Sequence, residues 1–153
     1  MSSQVKPIPE GYHTVTPYLI CDGAAHAIEF YKNAFSAVEV MRMAMPNGKI
    51  GHAEIKIGDS FIMLADDSPE VGARSPQHYG GSPISVLLYV ENTDAMVAQA
   101  VSAGATITRP LKDEFYGDRT ATVVDPFGHR WYIHTHVKDV TPEEMKKAMQ
   151  GAG

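Results

Sequence analysis

The sequence repeats itself with an offset of 69 residues, and this repeat limits the folds that the chain can adopt. Residues Gly23–Val38 align with Asn92–Ile107 without a gap, and the same offset carries Leu64 to Ile133. Each copy has the pattern of a strand, a helix and three further strands. One helix covers only one face of a sheet, so each copy needs its twin to cover the other. The repeat therefore predicts an α+β fold of two βαβββ modules in tandem that enclose one groove.

Turn and cap residues set the expected boundaries within a single domain of 153 residues. The first module is predicted over residues 13–66 and the second over 84–137, after a polar, proline-rich arm at the start of the chain. A connector rich in Ser, Pro, Gly and Asp fills residues 67–83, either as a lid over the groove or as a disordered loop. A proline at the first helical position and a capping-box glutamate predict a short C-terminal helix over 141–150.

Four of the predicted strands are bounded by proline, glycine or turn residues. Thr14–Cys21 has the pattern of a strand with Pro17 at an edge or bulge. Ile50–Ile57 and Ser60–Ala65 are predicted to form a hairpin across a Gly-Asp turn, with an apolar face and a face that carries His52 and Glu54. In the second module, a short strand is predicted over Thr106–Arg109.

The last hairpin carries the polar side chains of the second module. A four-residue turn over Asp125–Gly128 would join its strands and pair Arg119 with His134. Side chains alternate along a strand, so Arg119, Tyr132, His134 and His136 would then share one face. The hairpin is thus expected to present a guanidinium, a phenol and imidazoles to water or to a ligand.

Composition excludes several classes of protein. The formal net charge is −5, so the chain lacks the basic surface typical of nucleic-acid binding. A single cysteine, Cys21, rules out an internal disulfide and fits a reducing compartment. No segment is long and apolar enough to span a bilayer, and no apolar signal-peptide core is present. We expect a cytoplasmic protein with neither a nucleic-acid nor a membrane partner.

Three stretches resemble the vicinal-oxygen-chelate superfamily: DGAAHAIEFYKNAF, GHAEIKIGDSFIMLADD and GDRTATVVDPFGHRW. Its members include glyoxalase I, extradiol dioxygenases, fosfomycin-resistance enzymes and bleomycin-binding proteins, and these stretches look most like the PhnB-like branch. The resemblance covers about Val15 to His136. It implies the glyoxalase/bleomycin-resistance fold, but it does not name a reaction, because one scaffold hosts many chemistries.

The resemblance also implies where a metal would be bound. In metal-using relatives, His or Glu ligands come from the first and last strands of each module. The corresponding places here are Thr16, Met63, Ser85 and Tyr132. Hydroxyls and a thioether are poor ligands for the divalent ions that imidazole and carboxylate hold. We therefore expect no family metal and no other cofactor.

Strand alternation gives the groove a mostly aromatic and apolar lining, which is typical of a small-molecule pocket. In this interpretation Arg119 holds an anionic oxygen by a bidentate contact. The alternative is a groove filled by its own side chains, with Arg119 bridging an acidic residue. The candidate ligand-binding residues are Tyr18, Phe61, Met63, Tyr89, Arg119, Tyr132 and His134.

The candidate catalytic residues are His52, Glu54 and His134. They could hold a metal at a displaced site or act as acid and base around an enolisable substrate. The alternative is hydrogen bonding at the rim of a sheet, because alternation places every second residue on one face by construction.

Three functions remain open from the sequence. The first is metal-independent binding of a small aromatic or anionic compound, as in bleomycin-resistance proteins. The second is a metal-dependent lyase or dioxygenase of the same superfamily that uses the displaced His/Glu site. The third is a scaffold with a closed groove. In each case related proteins suggest a homodimer, sometimes with modules exchanged between chains.

Overall fold

A computed structural model describes residues 4–151 of the chain. It divides into two compact units, one that ends at Gly80 and one that begins at Gly81. Each unit contains one four-stranded sheet. The two units correspond to the two predicted modules and are called the first and the second module.

The first module has strand order β1-β4-β3-β2, with β1 parallel to β4 and the other pairs antiparallel. A 3-10 turn at Pro69–Val71 and a four-residue helix, α2, at Pro76–Tyr79 follow the sheet, so the connector is partly helical. The preceding elements are β1 at Tyr18–Cys21, α1 at Ala24–Phe35, β2 at Val38–Ala44, β3 at Ile50–Ile57 and β4 at Ser60–Asp66.

The second module has the equivalent strand order β5-β8-β7-β6, with β5 parallel to β8. Its elements are β5 at Ser85–Tyr89, α3 at Thr93–Ala103, β6 at Thr106–Asp113, β7 at Asp118–Val124 and β8 at Arg130–His136. Helix α4 at Pro142–Gly151 follows, and the Thr141 hydroxyl accepts a hydrogen bond from the Glu144 backbone N–H as its N-cap.

Backbone register confirms the repeat. In the first module Tyr18 pairs with Met63, and in the second module Leu87 pairs with Tyr132, which is the same pair displaced by the offset of the sequence repeat. The two helices also begin in equivalent ways. The side chain of Asp66 accepts the Ala24 backbone N–H, and the hydroxyl of Thr135, its equivalent in the second module, accepts the Thr93 N–H. The predicted fold of two βαβββ modules is confirmed.

Each helix packs on one face of its own sheet. In the first module the apolar face predicted for the β3–β4 hairpin is buried, with Ile55 and Leu64 fully inaccessible, and α1, which contacts β3 and β4, buries Ile28 and Phe35. Burial of each such side chain contributes roughly 1.5–3 kcal/mol relative to leaving it exposed. Successive side chains of a strand point to opposite faces of the sheet. The side chains between the buried ones therefore lie on the face away from the helix, where polar groups can be exposed.

The core of the second module is completed by a polar turn. Trp131 and Ile133 are fully buried against Val97 and Ala100 of α3. Trp131 donates its indole N–H to the buried carboxylate of Asp125 at 2.9 Å. A buried indole N–H needs such an acceptor, so Asp125 does more than shape the turn that the sequence predicts.

The turn between β7 and β8 corrects the predicted register. The Asp125 backbone N–H donates to the His129 carbonyl, so three residues form the loop rather than four, and Gly128 takes the left-handed conformation with φ 89°. One residue fewer in the loop shifts the pairing by one, and Thr120, not Arg119, lies opposite His134. The prediction that Arg119 shares a face with Tyr132 and His134 is therefore wrong, because a one-residue slip moves every side chain of a strand to the other face.

Two strand boundaries also differ from the prediction. Strand β1 begins at Tyr18 rather than Thr14, because Pro17 lacks an N–H and contributes only its carbonyl, which accepts from Met63. Strand β6 runs through Pro110 to Asp113 instead of ending at Arg109. Proline is compatible with a strand at the edge of a sheet, and β6 is an edge strand with a register shift on either side of Arg109.

Within residues 4–151, no helix is long and apolar enough to cross a membrane. Cys21 is fully buried.

Candidate functional site

The second module has a cavity of about 190 Å³ on the sheet face opposite α3. At roughly 30 Å³ for each water in the liquid, this volume equals about six water molecules, which suits a compact ligand. The cavity is lined by Arg109, Pro110, Lys112, Glu114, Tyr116, Thr120, Thr122, Tyr132 and His134. These side chains come from β6, β7, β8 and the turn between β6 and β7.

One cation at the cavity has no acidic partner. The ammonium of Lys112 lies 3.8 Å from the Glu114 carboxylate, which also accepts a hydrogen bond from the Thr120 hydroxyl at 3.3 Å. By contrast, no carboxylate among residues 4–151 lies within 4.0 Å of the Arg109 guanidinium. An unpaired guanidinium in a cavity wall offers a planar set of donors to a carboxylate or another oxyanion.

The phenol of Tyr132 is polarised by its surroundings. Hydrogen bonds from Ser85 and then Arg130, together with the positive charges of Arg130 and Arg109, lower the pKa of Tyr132 below its ordinary value. Tyr116 has the opposite shift, since burial, followed by the negative charges of Glu114 and Asp118, raises its pKa. The cavity therefore has a positive side around Tyr132 and a more buried side at Tyr116, where the negative charges of Glu114 and Asp118 act.

A buried carboxylate lies behind the cavity. Asp118 is 3% exposed and accepts hydrogen bonds from the Tyr89 hydroxyl at 2.9 Å, from His134 Nδ1 at 3.0 Å and from His136 Nδ1 at 2.8 Å. Burial alone would raise its pKa, but the hydrogen bonds from His136, His134 and Tyr89 lower the pKa below the ordinary value. Asp118 is thus an ionised acceptor that holds the His134 ring in place.

The equivalent face of the first module is closed by a side chain from the N-terminal arm. The Tyr12 ring stacks on Phe61 with centroids 4.3 Å apart, and its hydroxyl donates to the Glu54 carboxylate. Burial and the contact with Glu54 raise the pKa of Tyr12 to about 12, and the same contact, followed by that of His52, lowers the pKa of Glu54. Gly11 makes this approach possible, because a Cβ at its φ of +82° would lie 3.0 Å from the Phe61 ring.

Both ring nitrogens of His52 are engaged in this closed face. Its Nε2 lies 2.9 Å from Glu54, and its Nδ1 lies 2.9 Å from the Tyr18 hydroxyl. His52 and Glu54, which the sequence offers as a candidate acid and base, therefore belong to a chain of hydrogen bonds. The chain runs from Tyr12 through Glu54 and His52 to Tyr18.

The predicted ligand-binding residues are divided among three places. Tyr132 and His134 line the cavity, and Tyr89 lies on the same sheet face, where β5 pairs with β8. Arg119 lies on the helix face instead, where it binds Asp94 at 3.0 Å and Asp113 at 3.1 Å. This arrangement is the alternative in which Arg119 bridges acidic residues. The remaining three, Tyr18, Phe61 and Met63, lie on the sheet face opposite α1 in the first module.

The residues at the four family ligand positions do not fit a divalent metal. Met63 offers a thioether, Thr16 and Ser85 offer hydroxyls, and Tyr132 offers a phenol on which the positive charges of Arg130 and Arg109 act. Neutral oxygen and sulfur donors beside positive charges oppose the binding of a further cation. For the displaced site, no group of three His, Cys, Asp or Glu side chains in residues 4–151 could hold a metal ion.

Sequence reasoning missed Arg109, Lys112 and Glu114, because the sequence predicts a strand that ends at Arg109, whereas β6 continues through Pro110 to Asp113. It also missed Asp118, which the incorrect register placed on the helix face. The signal that could have found Asp118 is the Asp-Pro-Phe-Gly sequence, which is typical of a three-residue loop ending in a left-handed glycine. Tyr12 gave no signal, because its contacts are 42 and 49 residues away along the chain.

Comparison with known protein families gives one match over most of the chain. Residues 12–133 match the family model described as the Glyoxalase/Bleomycin resistance protein/Dioxygenase superfamily. The matched range begins at the arm residue that closes the first module and ends within β8, so it includes both sheets.

Individual relatives extend from bacteria to plants. The uncharacterized protein Mb0911c of Mycobacterium bovis is 42% identical over 142 residues, which cover 91% of this chain and 93% of that protein. The Arabidopsis thaliana protein At5g48480 is 30% identical over 128 residues, covering 79% of this chain and 76% of that protein. Its crystal structure superimposes with a TM-score of 0.65 at 26% identity, covering 80% of this chain and 98% of that structure.

A more distant structure has the same fold. A PhnB protein from Bacillus cereus, described as a putative 3-demethylubiquinone-9 3-methyltransferase, superimposes with a TM-score of 0.62 at 18% identity. The match covers 80% of this chain and 99% of that structure. At this identity the likeness shows the fold alone, and a shared fold leaves the reaction open.

Proposed function

The chain belongs to the Glyoxalase/Bleomycin resistance protein/Dioxygenase superfamily, and from that premise we propose that it binds a small organic anion in the cavity of its second module. Binding in this proposal needs no metal. The ligand is a compact carboxylate with a flat or short carbon skeleton. The proposal concerns the second module by itself, whereas the sequence repeat predicts a groove shared by both modules.

The observation that carries the proposal is the unpaired Arg109 guanidinium in the cavity wall. Arg109 is exposed and lines the same cavity as Tyr116 and Tyr132. A carboxylate placed against Arg109 would therefore extend its carbon skeleton between these rings and His134. Hydrogen bonds between charged partners contribute about 1.5–3 kcal/mol each, which is a large share of the affinity of so small a ligand.

The donor chemistry supports binding without the family metal. The position that carries a metal ligand in other members carries Tyr132 here, and hydrogen bonds from Ser85 and Arg130 stabilise its negative form. The positive charge near Tyr132 comes from the side chains of Arg130 and Arg109 and does not require a bound metal ion. Arginine and a metal ion attract the same ligand oxygens, so the anionic character of the ligand can be retained when the metal ligands are replaced.

The test uses benzoate and pyruvate as probes, with neutral benzamide as the matched control ligand. We expect saturable binding of at least one of the two anions, by calorimetry or NMR titration, in protein pretreated with EDTA. Arg109→Gln is expected to weaken anion binding at least about tenfold and to leave benzamide unchanged. Arg42→Gln, which removes a surface guanidinium paired with Glu39 in the first module, is the matched control and is expected to bind normally.

Three outcomes would overturn the proposal. They are failure of both anions to bind, equal affinity in the wild-type protein and Arg109→Gln, and loss of binding on EDTA treatment. The last would favour the metal-dependent lyase or dioxygenase that the sequence leaves open.

Two further expectations accompany this proposal, namely a homodimer and a cytoplasmic location. Edge strand β2 exposes Val38, Val40 and Met43, which are 63%, 47% and 58% accessible. Apolar side chains along an unpaired edge are typical of surfaces that associate. Sedimentation analysis of the wild-type protein checks the dimer, and a monomer at micromolar concentration would contradict it.

A further inference from the structure

Asp118 fixes which nitrogen of His134 carries a proton. The imidazole Nδ1 lies 3.0 Å from the Asp118 carboxylate, which is ionised and can only accept hydrogen bonds. Nδ1 of the neutral ring must therefore be the protonated nitrogen, and Nε2 is then an unprotonated acceptor. The assignment follows from the hydrogen-bond network.

The His134 ring is held rigidly beside the cavity. The residue is 9% exposed, its ring lies edge-on to Tyr89 at 5.7 Å between centroids, and it is stacked with Tyr116 at 6.4 Å. Because the ring lines the cavity while Nδ1 is bound to the buried carboxylate, Nε2 is the nitrogen left for a bound molecule. A basic nitrogen with a fixed tautomer in a small cavity is the geometry that general-base catalysis requires.

Three side chains near His134 would stabilise the charges that form when His134 takes up a proton from a bound molecule. Tyr89 and His136 also donate to Asp118, so its carboxylate is held in place when His134 gains a proton. Tyr132 is two residues from His134 on the same strand face, with ring centroids 6.3 Å apart. Its acidified phenol is a strong hydrogen-bond donor to a developing oxyanion.

We propose that His134 catalyses proton transfer at the carbon next to the carbonyl group of a small 2-oxo carboxylate bound in the second-module cavity. The proposal rests on the binding function proposed above, with the carboxylate held by Arg109. His134 is the catalytic base and Asp118 is a positioning residue.

The step balances without a co-reactant. The C–H electron pair forms a carbon–carbon double bond, the carbonyl π pair moves to oxygen, and the proton passes to Nε2 of His134. The products are an enolate that accepts a hydrogen bond from Tyr132 and an imidazolium that is stabilised by the Asp118 carboxylate. Return of the proton to the same carbon regenerates the substrate, and exchange with solvent in between labels it.

The first module provides an internal contrast. His52 also lies beside a carboxylate, but Glu54 and Tyr18 engage both of its nitrogens, so no free acceptor remains. Proton transfer should therefore depend on His134 and not on His52.

The experiment measures exchange of the methyl protons of pyruvate and the C3 protons of 2-oxobutyrate for deuterium in heavy water, followed by proton NMR. With EDTA-treated wild-type protein we expect exchange well above the buffer rate for at least one substrate. His134→Gln is expected to lose about a hundredfold of the catalysed rate, and Asp118→Asn is expected to lose a comparable factor. His26→Gln, which removes an exposed histidine on α1, is the matched control.

A measurement of the tautomer does not depend on the variants folding. Proton–nitrogen NMR correlations of the wild-type protein should show His134 protonated at Nδ1 and unprotonated at Nε2. Asp118→Glu, which restores a carboxylate, should retain this tautomer and more of the exchange rate than Asp118→Asn. A purely structural role of Asp118 would not link the tautomer to the rate.

The outcomes separate this proposal from the binding function. Binding of pyruvate or benzoate without exchange of either 2-oxo acid overturns proton transfer and leaves anion binding in place. Absence of both binding and exchange overturns both. Exchange that survives His134→Gln, exchange that is lost in His52→Gln instead, or a His134 ring protonated at Nε2 also overturns the assignment.

Discussion

The sheet faces opposite the helices belong to sheets of the same strand topology in the two modules, but they differ in what lies against them. In the first module, Tyr12 covers the face by stacking on Phe61 and donating to Glu54. In the second module, the equivalent face contains a cavity beside His134 and Arg109. The comparison shows that one repeat can be closed by its own chain while the other retains room for a ligand.

The difference has two local causes. The turn between β3 and β4 has two residues, whereas the turn between β7 and β8 has three, so different residues of β3 and β7 face away from the helix. The edge strands also differ, because β6 continues through Pro110 and places Arg109 and Lys112 at the cavity. Small changes in turns and edges thus alter the chemistry of a face without changing the fold.

The largest effect is expected from replacing Asp118, the buried carboxylate of the second module, and it is compared with replacement of the partly buried Glu54 in the first module. Asp118→Ala should lower the free energy of unfolding by about 3 kcal/mol, because three hydrogen-bond donors lose a buried charged acceptor. Glu54→Ala should cost only about 1 kcal/mol, because its partners Tyr12 and His52 can reach water. Urea denaturation measures both. Equal losses would mean that the two networks do not differ in burial.

A smaller effect is expected where the arm closes the first module. Tyr12→Ala should lower the free energy of unfolding by about 2 kcal/mol, through loss of the ring stack on Phe61 and of the bond to Glu54. Tyr12→Phe keeps the stack and should cost about 1 kcal/mol. Tyr79→Ala, at an exposed ring in α2, is the control and should change stability little. An unchanged stability in Tyr12→Ala would show that the arm does not close this face in solution.

The smallest effect is a pH dependence that belongs to the second module. Hydrogen bonds to Asp139 and then Asp118 raise the pKa of His136 above its ordinary value of 6.5. Its contribution to stability is therefore fully present below pH 6.5 and is lost as the pH rises through the raised pKa of the folded state. The stability difference between the wild-type protein and His136→Gln should shrink as the pH rises over this window. A difference that grows with pH would contradict the assignment.

Much of the fold could be predicted because many aligned residues support the same offset between the two modules, so no single residue decides the result. The offset that aligns Gly23 with Asn92 also relates the observed pairs Tyr18–Met63 and Leu87–Tyr132. The apolar face of the β3–β4 hairpin was predicted correctly, because a Gly-Asp turn of two residues leaves one register.

The candidate site could be predicted only in part, because it depends on single-residue details. Tyr132 and His134 were assigned to the right face, since β8 alternates regularly. The face of Arg119 depended on one loop residue, and the wall at Arg109 depended on whether Pro110 ends a strand. The periodicity of hydrophobic residues does not show the length of a turn or the end of a strand. It also does not show contacts between an arm residue such as Tyr12 and strands that are distant in sequence.

The most direct test of ligand binding in the second module is an NMR titration of the wild-type protein with benzoate and pyruvate, recorded on assigned backbone amides. We predict that the largest shift changes lie around Tyr116, Thr120, Tyr132 and His134, with the amides near Tyr12 and Phe61 unchanged. Saturable changes centred on Tyr12 and Phe61 would contradict this prediction, as would no saturable change at all.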